Sequence, residues 1–159
     1  MKYIVGVADV KISNVPGDVI VTHALGSCLG ITIHDPVAHV GGLLHVMMPL
    51  SSIDQAKAEA NPWMFVDTGV PRFFLDAYAL GAVKGRLQVK VAGGANVRNN
   101  GDDRFAIGKR NHLMLRKMFW QNNILIDAED VGGTIARTMR LEIGDGRVVL
   151  SSCGTEREL

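Results

Sequence analysis

The feature that most constrains the fold is a pair of apolar, β-type segments on either side of a short turn. The segments span residues 28–34 and 39–48, and Asp35, Pro36, Val37 and Ala38 lie between them. Asp and Pro favour turns, so the sequence predicts an antiparallel hairpin. Whether the turn has two or four residues, this arrangement places His34 opposite His39 and Cys28 opposite His45.

The period of two along each strand assigns these residues to two faces. One face is apolar and is expected to be core; it carries Leu29, Ile31, Ile33, Val40, Gly42 and Leu44. The other face mixes small and polar residues and is expected to be the wall of a site; it carries Cys28, Gly30, Thr32, His34, His39, Gly41, Leu43 and His45.

The predicted pairing of Cys28 with His45 indicates a nucleophile and its base. Directly opposed residues on antiparallel strands have Cβ atoms about 4.5–5.5 Å apart, within reach of a thiol–imidazole hydrogen bond. Gly26 and Ser27 precede the thiol, and a turn there would direct backbone N–H groups toward an oxyanion. Taken singly, Cys28 could be a small buried apolar residue and His45 a core histidine.

One cysteine and three histidines on a single face also suggest a zinc site. Six residues separate Cys28 from His34, roughly 20 Å along a strand, so the two predicted cross-strand pairs cannot bind one ion. Only His34 and His39 could share a metal near the turn. The glycine pairs at 93–94 and 132–133 lack the context of phosphate-binding loops. We therefore predict neither a metal nor a cofactor.

The rest of the chain is predicted to form one strand-rich α/β domain over residues 1–159, with a frayed tail at 155–159. Helices are predicted at 66–80 and 108–122 from apolar residues at helical spacing. Further strands are predicted at 3–10, 18–22, 87–91, 124–127, 135–143 and 147–152, the last two joined as a hairpin at 144–146.

Composition excludes several classes of protein. With 159 residues, 47% hydrophobic and 21% charged, the chain can bury a sizeable core. A net charge of +1 provides no general attraction to nucleic acid or to an anionic membrane. Two cysteines, Cys28 and Cys153, are too few for a disulfide scaffold. We find no signal peptide and no apolar run of about 20 residues, so we expect a soluble, cytoplasmic protein with reduced thiols.

Several segments resemble the CheD family of chemotaxis receptor glutamine deamidases. Residues 22–28 resemble that family's Thr-x-x-Leu-Gly-Ser-Cys motif, and Asp35-Pro36 with residues 41–49 resembles its second motif. Similar signatures follow at 93–95, at 108–111, and at 128–133 together with Arg137. His23, Val131 and Thr134 depart from the usual family residues, which leaves the local substrate preference open.

The resemblance implies a cysteine hydrolase with a triad of Cys28, His45 and Thr22. It also implies a layered α/β sandwich related to the cytotoxic necrotizing factor deamidase toxins. The expected substrates are glutamines on the cytoplasmic domains of methyl-accepting chemotaxis receptors, converted to glutamate through a thioester. A CheC-type phosphatase is a further expected partner. The role of Thr22 rests on the resemblance alone, because its position in a strand otherwise indicates a structural residue.

Two other functions stay open at this point. The chain could be a cysteine amidase that acts on another protein or on a small amide. It could also be a non-catalytic regulatory module that binds chemotaxis receptors or a CheC-type phosphatase.

Overall fold

A computed structural model describes residues 1–97 and 106–159. These residues form ten strands: β1 (Lys2–Val5), β2 (Asp9–Ser13), β3 (Val19–Leu25), β4 (Leu29–Asp35), β5 (Val40–Val46), β6 (Gln88–Gly93), β7 (Ala128–Val131), β8 (Arg137–Glu142), β9 (Val148–Ser152) and β10 (Thr155–Glu158). They also form three α-helices, α1 (Gln55–Ala60), α2 (Val66–Ala79) and α3 (Ile107–Gln121), and 3-10 turns at Ser51–Ile53, Pro62–Met64 and Lys84–Arg86.

The strands form two five-stranded sheets that are layered with the helices. The first sheet has the order β1-β3-β8-β9-β10 and the second β2-β5-β4-β6-β7. One apolar cluster joins the inner faces of the two sheets, with side chains such as Leu25, Leu43 and Met139. A second cluster lies between the other face of the second sheet and helices α2 and α3, with Leu29 and Phe73 among its members. The prediction of a layered, strand-rich α/β sandwich is confirmed.

The hairpin β4–β5 forms, but its predicted register is wrong by two residues. Asp35 pairs with Val40, so Gly30 lies opposite His45 and His34 lies opposite Gly41. The turn occupies residues 36–39, because the Asp35 carboxylate accepts the N–H groups of two turn residues, Val37 and Ala38. Cys28 is therefore not the cross-strand partner of His45.

The faces of the hairpin are assigned correctly, because a shift of two residues preserves the alternation. Leu29, Ile31 and Ile33 belong to the core beneath the helices, as expected. The opposite face is not an open wall, however. The first sheet covers it, and His34, Leu43 and His45 are all buried there.

The N-terminal segment 3–10, predicted as one strand, is two strands in different sheets. The chain turns at residues 6–8, where Ala8 adopts a left-handed conformation with φ of 55°. The Asp9 carboxylate accepts the N–H groups of Gly6 and Val10, which stabilises this turn. The turn carries the chain from the first sheet to the edge of the second.

Two other strand predictions also need correction. Residues 124–127 are not a strand; β7 begins only at Ala128, after Asp127 has exchanged hydrogen bonds with the backbone of Val89. The tail is not frayed, because Thr155–Glu158 pairs with β9 as an antiparallel edge strand. Arg147 and Glu158 form an ion pair that connects this edge to the preceding turn.

The two predicted helices are confirmed within one residue at each end, at Val66–Ala79 and Ile107–Gln121. Both cover the second sheet, and Phe74 of α2 contacts Phe119 of α3 with ring centroids 5.7 Å apart. No helix in the described ranges, 1–97 and 106–159, is long and apolar enough to cross a membrane.

Candidate active site

A hydrogen bond between Thr22 and His45 connects the two sheets. Thr22 lies on β3 of the first sheet and His45 on β5 of the second, and both side chains point into the layer between them. Thr22 Oγ1 and His45 Nδ1 are 2.7 Å apart, and neither residue is exposed to solvent. The sheet packing thus brings together two residues of the predicted triad.

The hydrogen bonds around Thr22 determine which ring nitrogen of His45 carries the proton. Thr22 Oγ1 lies 2.8 Å from the carbonyl oxygen of Val5, which can only accept, so the hydroxyl donates its one proton there. Oγ1 must then accept from the Nδ1–H of His45. A neutral imidazole has a single N–H, so Nε2 is left with a free lone pair.

Nε2 of His45 is buried, and no acceptor or donor in the described part of the chain is hydrogen-bonded to it. Burial lowers the pKa of His45 to about 4, while the nearby Asp9 carboxylate partly opposes this shift. The ring is therefore neutral at pH 7 and presents Nε2 as an unoccupied base.

Cys28 lies at the bend that precedes β4, and its half-buried side chain packs against the apolar cluster between the sheets. Burial raises the pKa of the Cys28 thiol above its ordinary value, so the thiol is protonated at neutral pH. The Cys28 side chain and the His45 ring thus both belong to the layer between the sheets, although the structure shows no hydrogen bond between them.

Two glycines shape the segment that carries Cys28. Gly94 N–H donates to the Cys28 carbonyl oxygen at 2.9 Å, and Ala95 N–H donates to the Gly26 carbonyl oxygen at 2.8 Å. Gly93 has φ of +111°, and a Cβ at this position would overlap the Cys28 carbonyl oxygen. The glycine pair at 93–94 therefore allows the backbone after β6 to approach the candidate nucleophile.

Asn111, near the start of α3, connects the segments that carry Cys28 and His45. Its fully buried Nδ2 donates to the carbonyl oxygens of Ser27 and Met47, each at 3.0 Å. Ser27 directly precedes Cys28, and Met47 follows His45 by two residues. Sequence reasoning assigned Asn111 no role, although its spacing of four residues from Leu115 places it on the buried side of the helix.

The backbone around the thiol offers donors for an oxyanion. Gly26 N–H is already bonded to the Ala24 carbonyl oxygen at 2.9 Å, so Gly26 supports the turn and has no free donor. The residue with positive φ in this turn is Ala24, at 58°, rather than the glycine. Within the described residues, the N–H groups of Ser27 and Cys28 have no acceptor from another residue, and Ser27 is exposed.

The remaining candidate residues lie elsewhere. His34 is buried, with Nε2 2.7 Å from the Ile143 carbonyl oxygen, whereas His39 is exposed on the turn. Cys153 lies exposed between β9 and β10. In residues 1–97 and 106–159 no three His, Cys, Asp or Glu side chains are grouped as a metal site.

Comparisons with known proteins agree on one family. A family model described as CheD chemotactic sensory transduction matches residues 47–152. The chain is 52% identical over 157 residues to the probable chemoreceptor glutamine deamidase CheD 1 of Syntrophus aciditrophicus (strain SB), which covers 98% of both chains. The chain belongs to the CheD family. It is also 49% identical over 158 residues to the probable chemoreceptor glutamine deamidase CheD of Solibacter usitatus (strain Ellin6076), covering 99% of this chain and 93% of the relative.

The segments that resemble CheD motifs are distant in sequence but converge in the fold. Residues 22–28 and 41–49 carry Thr22, Cys28 and His45. Residues 93–95 and 108–111 contribute the glycine pair and Asn111. Arg137 donates to the carbonyl oxygens of Gly93 at 3.0 Å and Gly132 at 2.7 Å. The signature at 128–133 with Arg137 is therefore hydrogen-bonded to the glycine pair at 93–94. Hydrogen bonds thus connect the segments that carry the CheD-like motifs.

Proposed function

We propose that this chain is a chemoreceptor glutamine deamidase, which hydrolyses the side-chain amide of specific receptor glutamines to glutamate and releases ammonia. The names of its relatives support this activity. The observation that carries the proposal is the Thr22–His45 hydrogen bond, which leaves Nε2 of His45 free as a base in the layer that the Cys28 thiol also contacts. The cytoplasmic domains of receptors are the proposed partners, and the proposed location is therefore the cytoplasm.

The proposed reaction begins from a neutral thiol and a neutral imidazole. The Cys28 sulfur attacks the amide carbon of the glutamine side chain as its proton passes to His45 Nε2. The thiolate–imidazolium pair that Cys–His chemistry often uses in the resting state is disfavoured here, because burial shifts both pKa values toward the neutral forms. Contacts between catalytic groups are often long in a free enzyme and shorten when substrate binds.

The N–H groups of Ser27 and Cys28 are the proposed donors to the oxyanion that forms on the attacked amide. The imidazolium of His45 passes this proton to the amide nitrogen, the carbon–nitrogen bond breaks, and ammonia departs. A thioester on Cys28 remains. Water then attacks the thioester carbon while His45 accepts its proton, the carbon–sulfur bond breaks, and His45 returns that proton to the leaving sulfur. The products are a glutamate side chain and the regenerated thiol.

Thr22 orients the imidazole in this proposal and takes no part in bond making. A neutral hydroxyl stabilises an imidazolium less than a carboxylate does. We therefore expect Thr22→Ala to reduce deamidation less than Cys28→Ala or His45→Ala, and equal losses in all three variants would contradict this order.

Mass spectrometry of receptor cytoplasmic fragments tests the proposal directly. Fragments are incubated with the wild type, with Cys28→Ala, and with Cys153→Ala as a matched control at an exposed thiol. We expect site-specific conversion of glutamine to glutamate with the wild type and with Cys153→Ala, but not with Cys28→Ala. Absence of conversion by the folded wild type would refute the deamidase and favour a regulatory module that binds receptors or a CheC-type phosphatase, the second partner that the resemblance predicts.

A further inference from the structure

One peptide unit extends the Thr22–His45 hydrogen bond toward the protein surface. The carbonyl oxygen of Val5, which accepts from Thr22, belongs to the same peptide group as the N–H of Gly6. That N–H donates to Oδ2 of Asp9 at 3.3 Å. A planar, conjugated peptide group therefore lies between the hydroxyl of Thr22 and a carboxylate.

The hydrogen bonds in this series all point in one direction. His45 Nδ1–H donates to Thr22, the Thr22 hydroxyl donates to the Val5–Gly6 peptide, and that peptide donates to Asp9. Hydrogen bonds in such a chain polarise one another, so a negative charge at the acceptor end strengthens each donor before it. The series starts at a buried imidazole and ends at an exposed carboxylate.

Strand register gives Asp9 a second, independent route to the same ring. Asp9 on the edge strand β2 is paired directly with His45 on β5. Side chains of directly opposed residues share a face of the sheet, with Cβ atoms about 4.5–5.5 Å apart. The carboxylate thus lies beside His45 across the ladder as well as at the end of the hydrogen-bonded series.

Few other titratable groups face His45 from the elements packed around it. On β2, Lys11 follows Asp9 on the same face, but its Nζ lies over the ring of Tyr3 from β1, 4.1 Å from the ring centroid. Cys28 precedes β4 and is protonated at rest. From β3 and β8 the neighbours are Thr22 and Met139, which are uncharged. Asp9 is the anion that these elements direct toward the ring.

We propose that Asp9 is a positioning residue for the deamidation reaction, which stabilises the positive charge that forms on His45 as it accepts the proton of Cys28. It acts through the Thr22 hydroxyl and the Val5–Gly6 peptide and across the β2–β5 ladder. The inference rests on the proposed function, because it concerns the same site. Since Asp9 is exposed, solvent screens its charge, and we expect an effect of roughly three- to tenfold on turnover at low ionic strength.

Asp9→Asn is the informative variant, because its single amide oxygen can still accept from the N–H of Gly6 while the charge is lost; the N–H of Val10, which bonds to the other carboxylate oxygen, loses its acceptor. Asp76→Asn is the matched control, with the same change in charge on the exposed surface of α2. Asp9→Ser gives a second uncharged variant that keeps a short acceptor. All are compared with the wild type by circular dichroism before activity is measured.

Two readouts separate a role in the reaction from a structural role. In Asp9→Asn, kcat/KM for receptor fragments should fall roughly three- to tenfold at pH 7.5, through kcat rather than KM. The acidic limb of its pH profile should also move to lower pH, because the imidazole has become less basic. Asp76→Asn should show neither change.

The second readout needs no turnover. In ¹⁵N-histidine-labelled protein at pH 7, the Nδ1–H resonance of His45 should report a hydrogen bond to Thr22 that weakens in Asp9→Asn but not in Asp76→Asn. If the wild type modifies no receptor, the proposed function fails while this measurement still decides whether Asp9 is linked to the ring. A folded Asp9→Asn protein with unchanged His45 resonances and unchanged kcat would overturn the inference. An equal loss of kcat in Asp76→Asn would overturn it as well.

Discussion

Replacing Thr22 by valine tests whether its hydroxyl is what orients His45. Valine has nearly the same shape as threonine, so the substitution removes the hydroxyl without opening a cavity. It leaves the buried Nδ1–H of His45 without a partner and removes the hydrogen bond from the hydroxyl to the carbonyl oxygen of Val5. The comparison variant is Thr22→Ser, which keeps both hydrogen bonds and removes only a methyl group.

The expected losses in stability differ enough to be measured. A buried polar group without a partner costs about 1–3 kcal/mol and a lost hydrogen bond about 0.5–1.5 kcal/mol, so Thr22→Val should lower the free energy of unfolding by roughly 2–4 kcal/mol. Moving the ring proton to Nε2 would not relieve this loss, because Nε2 has no partner either. Thr22→Ser removes one buried methyl group and should lower it by only about 1 kcal/mol.

The same pair of variants should separate in activity. Without the hydroxyl acceptor, the proton of His45 is no longer confined to Nδ1, and molecules that carry it on Nε2 have lost their base. We expect Thr22→Val to lower kcat for receptor deamidation at least tenfold and Thr22→Ser to lower it by less than about threefold. Urea unfolding followed by circular dichroism and release of ammonia are the assays. Equal stability and activity of the two variants would refute the orienting role of the hydroxyl.

Three further predictions concern the charge states and the backbone of the site. The pKa of His45 is about 4 in the folded protein and 6.5 ordinarily, so the unfolded chain binds a proton first as the pH falls. The free energy of unfolding should therefore fall by up to about 3 kcal/mol between pH 6.5 and pH 4, and this group should cause no change above pH 6.5. Urea titrations of His45→Gln should not show this pH dependence. In a Cys153→Ser background, alkylation of Cys28 by iodoacetamide should keep rising with pH beyond pH 8.5, whereas a plateau near neutral pH would reveal a resting thiolate. Gly93→Ala should lower stability by roughly 2–5 kcal/mol and abolish deamidation, because the new Cβ meets the Cys28 carbonyl oxygen. Gly154→Ala, also at positive φ but in open space, should cost about 1 kcal/mol, and similar losses in both alanine variants would contradict the role of the overlap.

The sequence predicts the faces of the central hairpin more reliably than its register. Alternation depends only on the period of two, so Leu29 and Ile31 stay on the core face when the pairing register of β4 and β5 shifts by an even number of residues. Register depends on the turn, where the Asp35 carboxylate captures two backbone N–H groups and His39 adopts φ of 53°. Neither feature follows from hydrophobic pattern, so the pairing of Cys28 with His45 is wrong although the faces are right.

The contact between Thr22 and His45 is harder still to predict from local pattern. The two residues lie on strands of different sheets, and nothing in either segment indicates which strands stack across the sandwich. Only the family resemblance named Thr22. The neutral states of Cys28 and His45 follow from the same packing, because the first sheet covers the face that alternation alone predicts to be open.

The covered position also explains why a hydroxyl suits the place beside His45 better than a carboxylate does. An aspartate at position 22 would bury a charge between two apolar sheets and would face the carbonyl oxygen of Val5, which has no proton to donate. A hydroxyl can accept from the ring and donate to that carbonyl at once, so both buried groups are satisfied without a charge. The negative charge lies instead at Asp9 on the edge strand, where water solvates it and the Val5–Gly6 peptide connects it to the ring. A sandwich interior that excludes ions can in this way still have its buried base linked by hydrogen bonds to an anion at the surface.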